Sequence, residues 1–315
     1  MRGVSQPDPT KQPAEPVQRD GAPSRNISAN GQADRGMILV TGATGNVGRQ
    51  VIAQLVSSGV PVRALVRDGQ QSRLPEGVEA VEGDLSRPGT LKRALVEVET
   101  VFLIWPFLAT DGASAVLDVV EGHARRVVYL SSSGVNDEAE RQSDPINQLH
   151  ADMERLIEES GPQWTILRAN TIASNTRGWA EQIRGAGVVR GPDIAATAVI
   201  DPRDIAAVAV RVLVEDGHAG MTYVLTGPQV VSRTEQVHAI GEAIGRPLRF
   251  EKVPVELARQ QMLADGRPPA LVEALLASAE TRPHSALITS TVEEVTGTPA
   301  RTFRDWAFDH ADDFR

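Results

Sequence analysis

From Val40 the chain reads Val40-Thr41-Gly42-Ala43-Thr44-Gly45-Asn46-Val47-Gly48. Three glycines at this spacing suit a loop that turns tightly, lets its main chain approach an anion and starts a helix without bulk. Gly42 is expected to turn the chain off a strand, Gly45 to admit a diphosphate, and Gly48 to let the helix pack on the sheet. Thr44 and the N–H groups of Asn46 and Val47 complete the expected cradle, because amides and the dipole at a helix N-terminus attract phosphate. A plain strand-to-helix turn uses the same glycines. The apolar run before this one and the helical pattern after it favour a dinucleotide.

The next strand end selects the dinucleotide. It reads Val66-Arg67-Asp68, with Arg63 four residues before Arg67. An arginine there clamps a 2′-phosphate bidentately, whereas an acid bonds the ribose of NAD. Both residue types are present. The reading is NADPH through Arg67, with NADH through Asp68 as the alternative. Asp84-Leu85 follows a third strand, where an acceptor and an apolar contact suit adenine; Asp84 equally suits a helix cap. Ile104, Trp105 and Ser131 to Ser133 end the fourth and fifth strands. Asn170 ends the sixth and is placed near the nicotinamide carboxamide or the substrate.

The familiar proton relay of dinucleotide-dependent dehydrogenases, Tyr-x-x-x-Lys, is missing. The tyrosines are Tyr129 and Tyr223 and the lysines are Lys11, Lys92 and Lys252, so no such pair exists. The corresponding helix carries His150 and Glu154, four apart and therefore on one face. His150 is a candidate proton donor with Glu154 orienting it; an ordinary ion pair on a helix surface is the alternative. Ser132 is a third candidate, as a hydroxyl for a carbonyl substrate. The remaining histidines show no metal-ligand spacing, so no metal site is expected. There is no cysteine, which removes thiolate chemistry and disulfides.

Strand and helix patterns alternate to position these residues. Met37 to Val40 is a buried strand. Val47, Val51, Ile52, Leu55 and Val56 recur at helical spacing before Gly59. Strands are expected at 62–66, 78–81, 101–105, 127–130 and 164–167, with helices at 91–98, 115–123 and 145–160. This predicts an α/β fold, a Rossmann-type doubly wound parallel sheet. Further on, a helix is expected at 201–214, started by Asp201-Pro202, and a strand at 223–225. Ser232 and Glu235 form a capping box for a helix to Gly245, and 255–315 reads as mostly helical. Residues 1–35, rich in Pro, Gly and polar types, read as a disordered tail.

Val-Thr-Gly-Ala-Thr-Gly-Asn-Val-Gly, Val-Arg-Ala-Leu-Val-Arg-Asp, Glu-Gly-Asp-Leu, Trp-Thr-Ile-Leu-Arg and the segments at 200–206 and 223–228 together resemble the NmrA-like, atypical short-chain dehydrogenase/reductase family. Ala169 stands where that family often has Pro. The resemblance implies a Rossmann domain at 36–169, joined by 200–228, and a smaller, mostly helical C-terminal substrate lobe from 170–199 and 229–315. It implies bound NAD(P) and a small-molecule substrate between lobes; a monomer or homodimer is expected. The expected activity is NADPH-dependent hydride transfer to a quinone-like, aromatic or carbonyl acceptor. The family also contains dinucleotide sensors without activity, which would need a protein partner, and a nicotinamide-dependent isomerase or epimerase is a third reading. The formal charge of -9 argues against a nucleic-acid partner. No apolar run of about 20 residues suggests a membrane span, and a cytoplasmic setting is expected.

Overall fold

The computed structural model describes residues 36–67, 74–192, 194–281 and 286–315. The expected tail at 1–35 and Asp68 lie outside these residues. Strands and helices alternate from Met37: β1 (Met37–Val40), α1 (Gly48–Ser57), β2 (Val62–Val66), β3 (Glu79–Glu82), α2 (Leu91–Ala94), β4 (Val98–Leu103), α3 (Ala113–Glu121), β5 (Arg126–Ser132), α4 (Pro145–Glu158) and β6 (Gln163–Ala169). A 3₁₀ segment at Ala173–Trp179 follows, then α5 (Ala180–Ala186), β7 (Val188–Gly191), α6 (Pro202–Val214), β8 (Met221–Leu225), α7 (Arg233–Ile244) and β9 (Arg249–Lys252). The chain ends in α8 (Val255–Ala264), α9 (Pro269–Thr281), α10 (Thr291–Thr296) and α11 (Phe303–Asp309).

Seven strands form one parallel sheet in the order β3-β2-β1-β4-β5-β6-β8. The order reverses between β1 and β4, so the carboxyl ends of these two strands open a crevice, the usual ligand position in such sheets. One face carries α1 and α6, whose Val51, Ile52, Leu55, Ile205 and Val208 share a core with Val40 and Val128. The other carries α3 and α4, with Leu117, Met153 and Ile157 packed on Val101, Val127 and Tyr129. Each large aliphatic side chain so buried contributes about 1.5–3 kcal/mol.

The expected starts and stops mostly recur. Gly59 takes φ +65° after α1. Asp201 caps α6 by accepting from the Arg203 N–H at 2.7 Å, and the Ser232–Glu235 capping box is formed. Two expectations need correction. The helix expected at 91–98 stops at Ala94, and β4 begins at Val98 instead of Val101. Glu97 adopts φ +62°, a conformation that ends a helix, and this turn recruits Val98 to Thr100 into the sheet beside β1 and β5. The second concerns the C-terminal region. Its β7 and β9 form a separate two-stranded parallel sheet, and Ile183, Val189, Val237, Ile240, Phe303 and Trp306 make a third core. However, 229–315 is not one lobe. Helix α10 returns to the large sheet, where Val292 joins the core under α1 and α6, because the outer flank of α6 and β8 would otherwise stay uncovered.

Candidate active site

At the crevice, β1 and β4 are tied together by one hydroxyl. Thr41 Oγ1 accepts from the Ile104 N–H at 2.7 Å and donates to the Ile104 carbonyl at 3.1 Å. Gly42 then turns the chain at φ +59°, and the Gly45 N–H closes the loop on the Gly42 carbonyl at 2.9 Å. A Cβ on Gly48 would lie 2.2 Å from that same carbonyl oxygen. Gly48 therefore makes room for the loop's own main chain, not for the sheet as expected. Among the described residues, the N–H groups of Asn46 and Val47 have no protein acceptor. They sit ahead of α1, where a diphosphate would complete them.

Helix α4 begins at Asp144, whose carboxylate accepts from the N–H groups of Ile146 and Asn147 at 3.0 Å each. One face of the helix then meets the ends of β5 and β6. The Ser132 hydroxyl donates to Asn147 Oδ1 at 2.9 Å. One turn on, Tyr129 Oη lies 2.8 Å from His150 Nδ1. Another turn on, Glu154 accepts from the Ser131 hydroxyl and from Arg168, whose Nη2 lies 2.6 Å away. Ser131 and Arg168 are register partners on adjacent strands, so one carboxylate pins α4 across both. Arg168 also reaches Asp137 with Nη1 at 2.9 Å. That hydrogen bond holds the Asp137 carboxyl below its usual range, and the two carboxylates raise Arg168 further above its own.

Two groups on this face are shifted strongly. Burial pushes the Tyr129 phenol well above its ordinary value, with the Glu154 charge adding to the effect. Burial pushes His150 down to about 4, against an opposing effect of Asp144. His150 is therefore neutral near pH 7. Tyr129 keeps its proton and has His150 as its hydrogen-bond partner, so the phenol donates to Nδ1. That fixes the tautomer with hydrogen on Nε2. The ring is half-buried and lines a cleft of about 1310 Å³ that runs from Asn46 past Trp105, Ser132 and Asn170 to the C-terminal helices.

The chain matches the NAD(P)H-binding family over residues 42–216. It is 42% identical over 285 residues to the (4-alkanoyl-5-oxo-2,5-dihydrofuran-3-yl)methyl phosphate reductase of Streptomyces griseus, covering 88% of this chain and 99% of that one. It is 35% identical over 281 residues to the NAD(P)H azoreductase of Xenophilus azovorans, covering 87% and 98%. The chain belongs to the NmrA-like, atypical short-chain dehydrogenase/reductase family. It is an NAD(P)H-binding oxidoreductase. Its fold also matches the NADPH complex of quinone oxidoreductase 2 from Escherichia coli, with TM-score 0.72 and 23% identity over 86% of this chain and 98% of that one.

Within this NmrA-like reductase the expected residues divide into two sets. Ile104 packs its side chain on Gly42, 3.1 Å from where a Cβ would stand. Trp105 lines the cleft with its Nε1 donating to the Ala109 carbonyl at 2.8 Å. Asn170 lines it too, its Oδ1 accepting from the Thr171 N–H at 2.6 Å. Arg67 is exposed at the end of β2, close enough to Asp84 to help lower its carboxyl after the dominant Ser86 hydrogen bonds. Other residues near these strand ends are engaged within the protein. Arg63 is buried and spends its guanidinium on the Ala94 and Val96 carbonyls and on Glu79. Asp84 Oδ1 accepts from the Ser86 N–H and hydroxyl, so this oxygen stabilises its own turn. Leu85 is buried in the α3–α4 core and offers no apolar face to adenine.

The expected His150–Glu154 pair is also corrected. Both residues face the sheet, as i and i+4 should, but each takes its own partner there. Glu154 is buried, does not line the cleft and does not orient His150; Tyr129 does. Sequence reasoning missed Tyr129, Asn147, Arg168 and Arg177. For Arg168 a signal existed: a charged residue closing a buried strand calls for an inward partner. For Arg177 none did. It reaches from the 3₁₀ segment to donate to Asn46 Oδ1 at 3.1 Å while pairing with Asp313 at 2.7 Å.

Proposed function

We propose that this chain reduces a conjugated carbonyl or quinone-like acceptor, preferring NADPH. The observation that supports it most is the neutral donor pair on the cleft wall: the His150 ring, with hydrogen on Nε2, and the amide of Asn147, which keeps a second N–H beyond the one it donates to Asp144 at 2.6 Å. A bound reduced nicotinamide would supply a hydride, that is, one proton with two electrons. Addition to a conjugated carbonyl leaves an enolate or phenolate, whose charge is spread and weakly basic. Such an anion needs hydrogen-bond donors at its oxygen more than a strong acid, and water in the open cleft supplies the balancing proton. An isolated ketone would leave a strongly basic alkoxide and call for the missing Tyr-x-x-x-Lys relay.

His150 and Asn147 hold the acceptor oxygen, and Trp105 supplies an apolar wall. Asn46, Val47 and the glycine loop hold the diphosphate, and Arg67 takes the 2′-phosphate. The butenolide phosphate named for the Streptomyces relative is itself a conjugated carbonyl, which agrees with this acceptor class. The test is a panel of naphthoquinones, acyl-butenolides and simple ketones, followed by loss of reduced-nicotinamide absorbance with NADPH or NADH. Turnover of conjugated acceptors over ketones is expected, with Arg67→Ala weakening NADPH and sparing NADH. Preferred turnover of simple ketones would overturn the reading.

A further inference from the structure

Helices α8 and α9 form a hairpin with a small core of their own, Val253, Ala258, Val272 and Leu276. Helix α9 packs on α4, the helix that carries Asn147 and His150. Leu271 and Leu275, one turn apart on α9, are only half-buried and line the cleft together with Met262 of α8. Leu271 and Leu275 thus give this part of the cleft an aliphatic stripe outside the hairpin's own core, on which Met262 packs. Side chains at i and i+4 present one continuous surface, so this stripe suits a flexible apolar arm more than a second planar ring.

The turn of the hairpin carries Arg267. Its guanidinium lies over Gly178, with Nη2 2.8 Å from where a Cβ on that glycine would stand. It is half-buried, lines the cleft, and has no hydrogen-bond or ion-pair partner for its side chain among the described residues. Its neighbours in the cleft differ. Arg190 pairs with Glu251 at 3.3 Å, and Arg233 stacks on the Trp179 ring at 4.8 Å. Asp265, two residues before Arg267, also lines the cleft but stays outside ion-pair range. A half-buried guanidinium has lost part of its hydration and gains most from an anion that accepts two parallel hydrogen bonds.

We infer that the substrate is an anionic amphiphile: a conjugated acceptor bearing a phosphate or carboxylate that Arg267 holds, and an aliphatic arm that lies along Leu271 and Leu275. This rests on the proposed reductase reading for the reacting end, while the two recognition elements stand on the cleft alone. Arg267 acts here as a binding residue and selects among acceptors that the strand ends would otherwise treat alike.

The test uses the full chain saturated with NADP⁺, so that binding is measured without turnover. Three naphthoquinones with the same alkyl arm are titrated by calorimetry: one ending in a methyl, one in a carboxylate and one in a phosphate. Both anions are expected to bind at least tenfold tighter than the neutral probe, and their order tells which anion the site was built for. Arg267→Met, which keeps the apolar stem, is expected to remove that preference while leaving the neutral affinity within twofold; Arg267→Lys should retain part of it. Leu275→Asp should weaken all three. Equal binding of charged and neutral probes, or a preference that survives Arg267→Met, overturns the inference. Turnover of the same probes with NADPH is scored separately: its failure would remove the reductase reading and leave the charge preference standing.

Discussion

The Tyr129 hydroxyl lies 2.8 Å from His150 Nδ1 and decides which ring nitrogen carries hydrogen toward the cleft. A strand residue thus sets the tautomer of a helix residue, as second partners of functional histidines commonly do. Tyr129→Phe removes that donor. The ring is then free to place its hydrogen on Nδ1 and turn a bare Nε2 toward the acceptor oxygen. Turnover should fall on the order of tenfold, with stability lowered by only about 1 kcal/mol. Steady-state rates and thermal melting of the variant check both. Full activity in Tyr129→Phe would show that the tautomer does not matter.

The same residue predicts a pH dependence of stability. An unfolded histidine takes up its proton near 6.5, whereas burial delays this in the folded chain to about 4. Between those values the unfolded state binds more protons, so protonation pulls the chain toward unfolding. The contribution is complete above pH 6.5 and is lost as pH falls toward 4. It amounts to at most about 3 kcal/mol, since one edge of the ring faces the cleft. His150→Gln has no such proton. Its melting temperature should drop less than that of the native chain between pH 7 and pH 5, and parallel drops would count against the buried neutral ring.

Glu154 gives the opposite signature from a catalytic acid. It is buried between Ser131 and Arg168 and does not line the cleft. Glu154→Gln leaves the Arg168 guanidinium without its buried counter-charge, a change that costs about 3 kcal/mol and roughly 5–10 °C in melting temperature for a domain of this size. Turnover per folded molecule at 20 °C should stay within a few-fold of native. A large loss of kcat at unchanged stability would return Glu154 to the chemistry.

Two glycines separate a functional constraint from a conformational one. Gly48 cannot gain a Cβ without moving the Gly42 carbonyl, which is main chain and has no rotamer to give. Gly48→Ala should deform the loop and weaken NAD(P)H binding by about a hundredfold. Gly59 has open space around it but φ +65°, so Gly59→Ala should cost about 1 kcal/mol of stability with cofactor affinity unchanged. Cofactor titration of the two variants by nicotinamide fluorescence distinguishes them.

The glycine loop, the parallel sheet and the helix caps were legible because each depends on residues adjacent in sequence. Asp201-Pro202 and Ser232 with Glu235 mark their helices whatever packs on them. Leu85 is misplaced by the sequence because its type fits a cofactor contact, while the core it joins, with Leu103 and Trp105, is fixed only by the tertiary fold. His150 and Glu154 were rightly put on one face. What lay across from that face, Tyr129 for one and Ser131 with Arg168 for the other, depends on the pairing of β5 with β6, and no local pattern reports it. The short β7–β9 sheet was illegible for the same reason: Val188 to Gly191 pairs with a strand just over sixty residues on.

Arg177 is the residue with least sequence signal and the clearest position. It joins the 3₁₀ segment after β6 to the glycine loop, donating to Asn46 Oδ1, and is held from behind by Asp313 near the C-terminus. Its guanidinium is partly exposed beside the side chain of Asn46, whose own N–H has no acceptor among the described residues. A bound diphosphate would add negative charge there, and a guanidinium beside it strengthens binding in a way a neutral side chain cannot. Arg177→Gln keeps a donor for Asn46 and removes the charge, so NADPH and NADH affinities should both fall about tenfold, unlike Arg67→Ala, which should discriminate between them. The loss should shrink as salt rises, because a half-exposed charge is screened. Asp313→Asn frees Arg177 from its counter-charge without removing it, and should tighten both cofactors or leave them unchanged. If Arg177→Gln binds both dinucleotides as the native chain does, the residue is a strut between segments and the diphosphate is held by the loop's main chain alone.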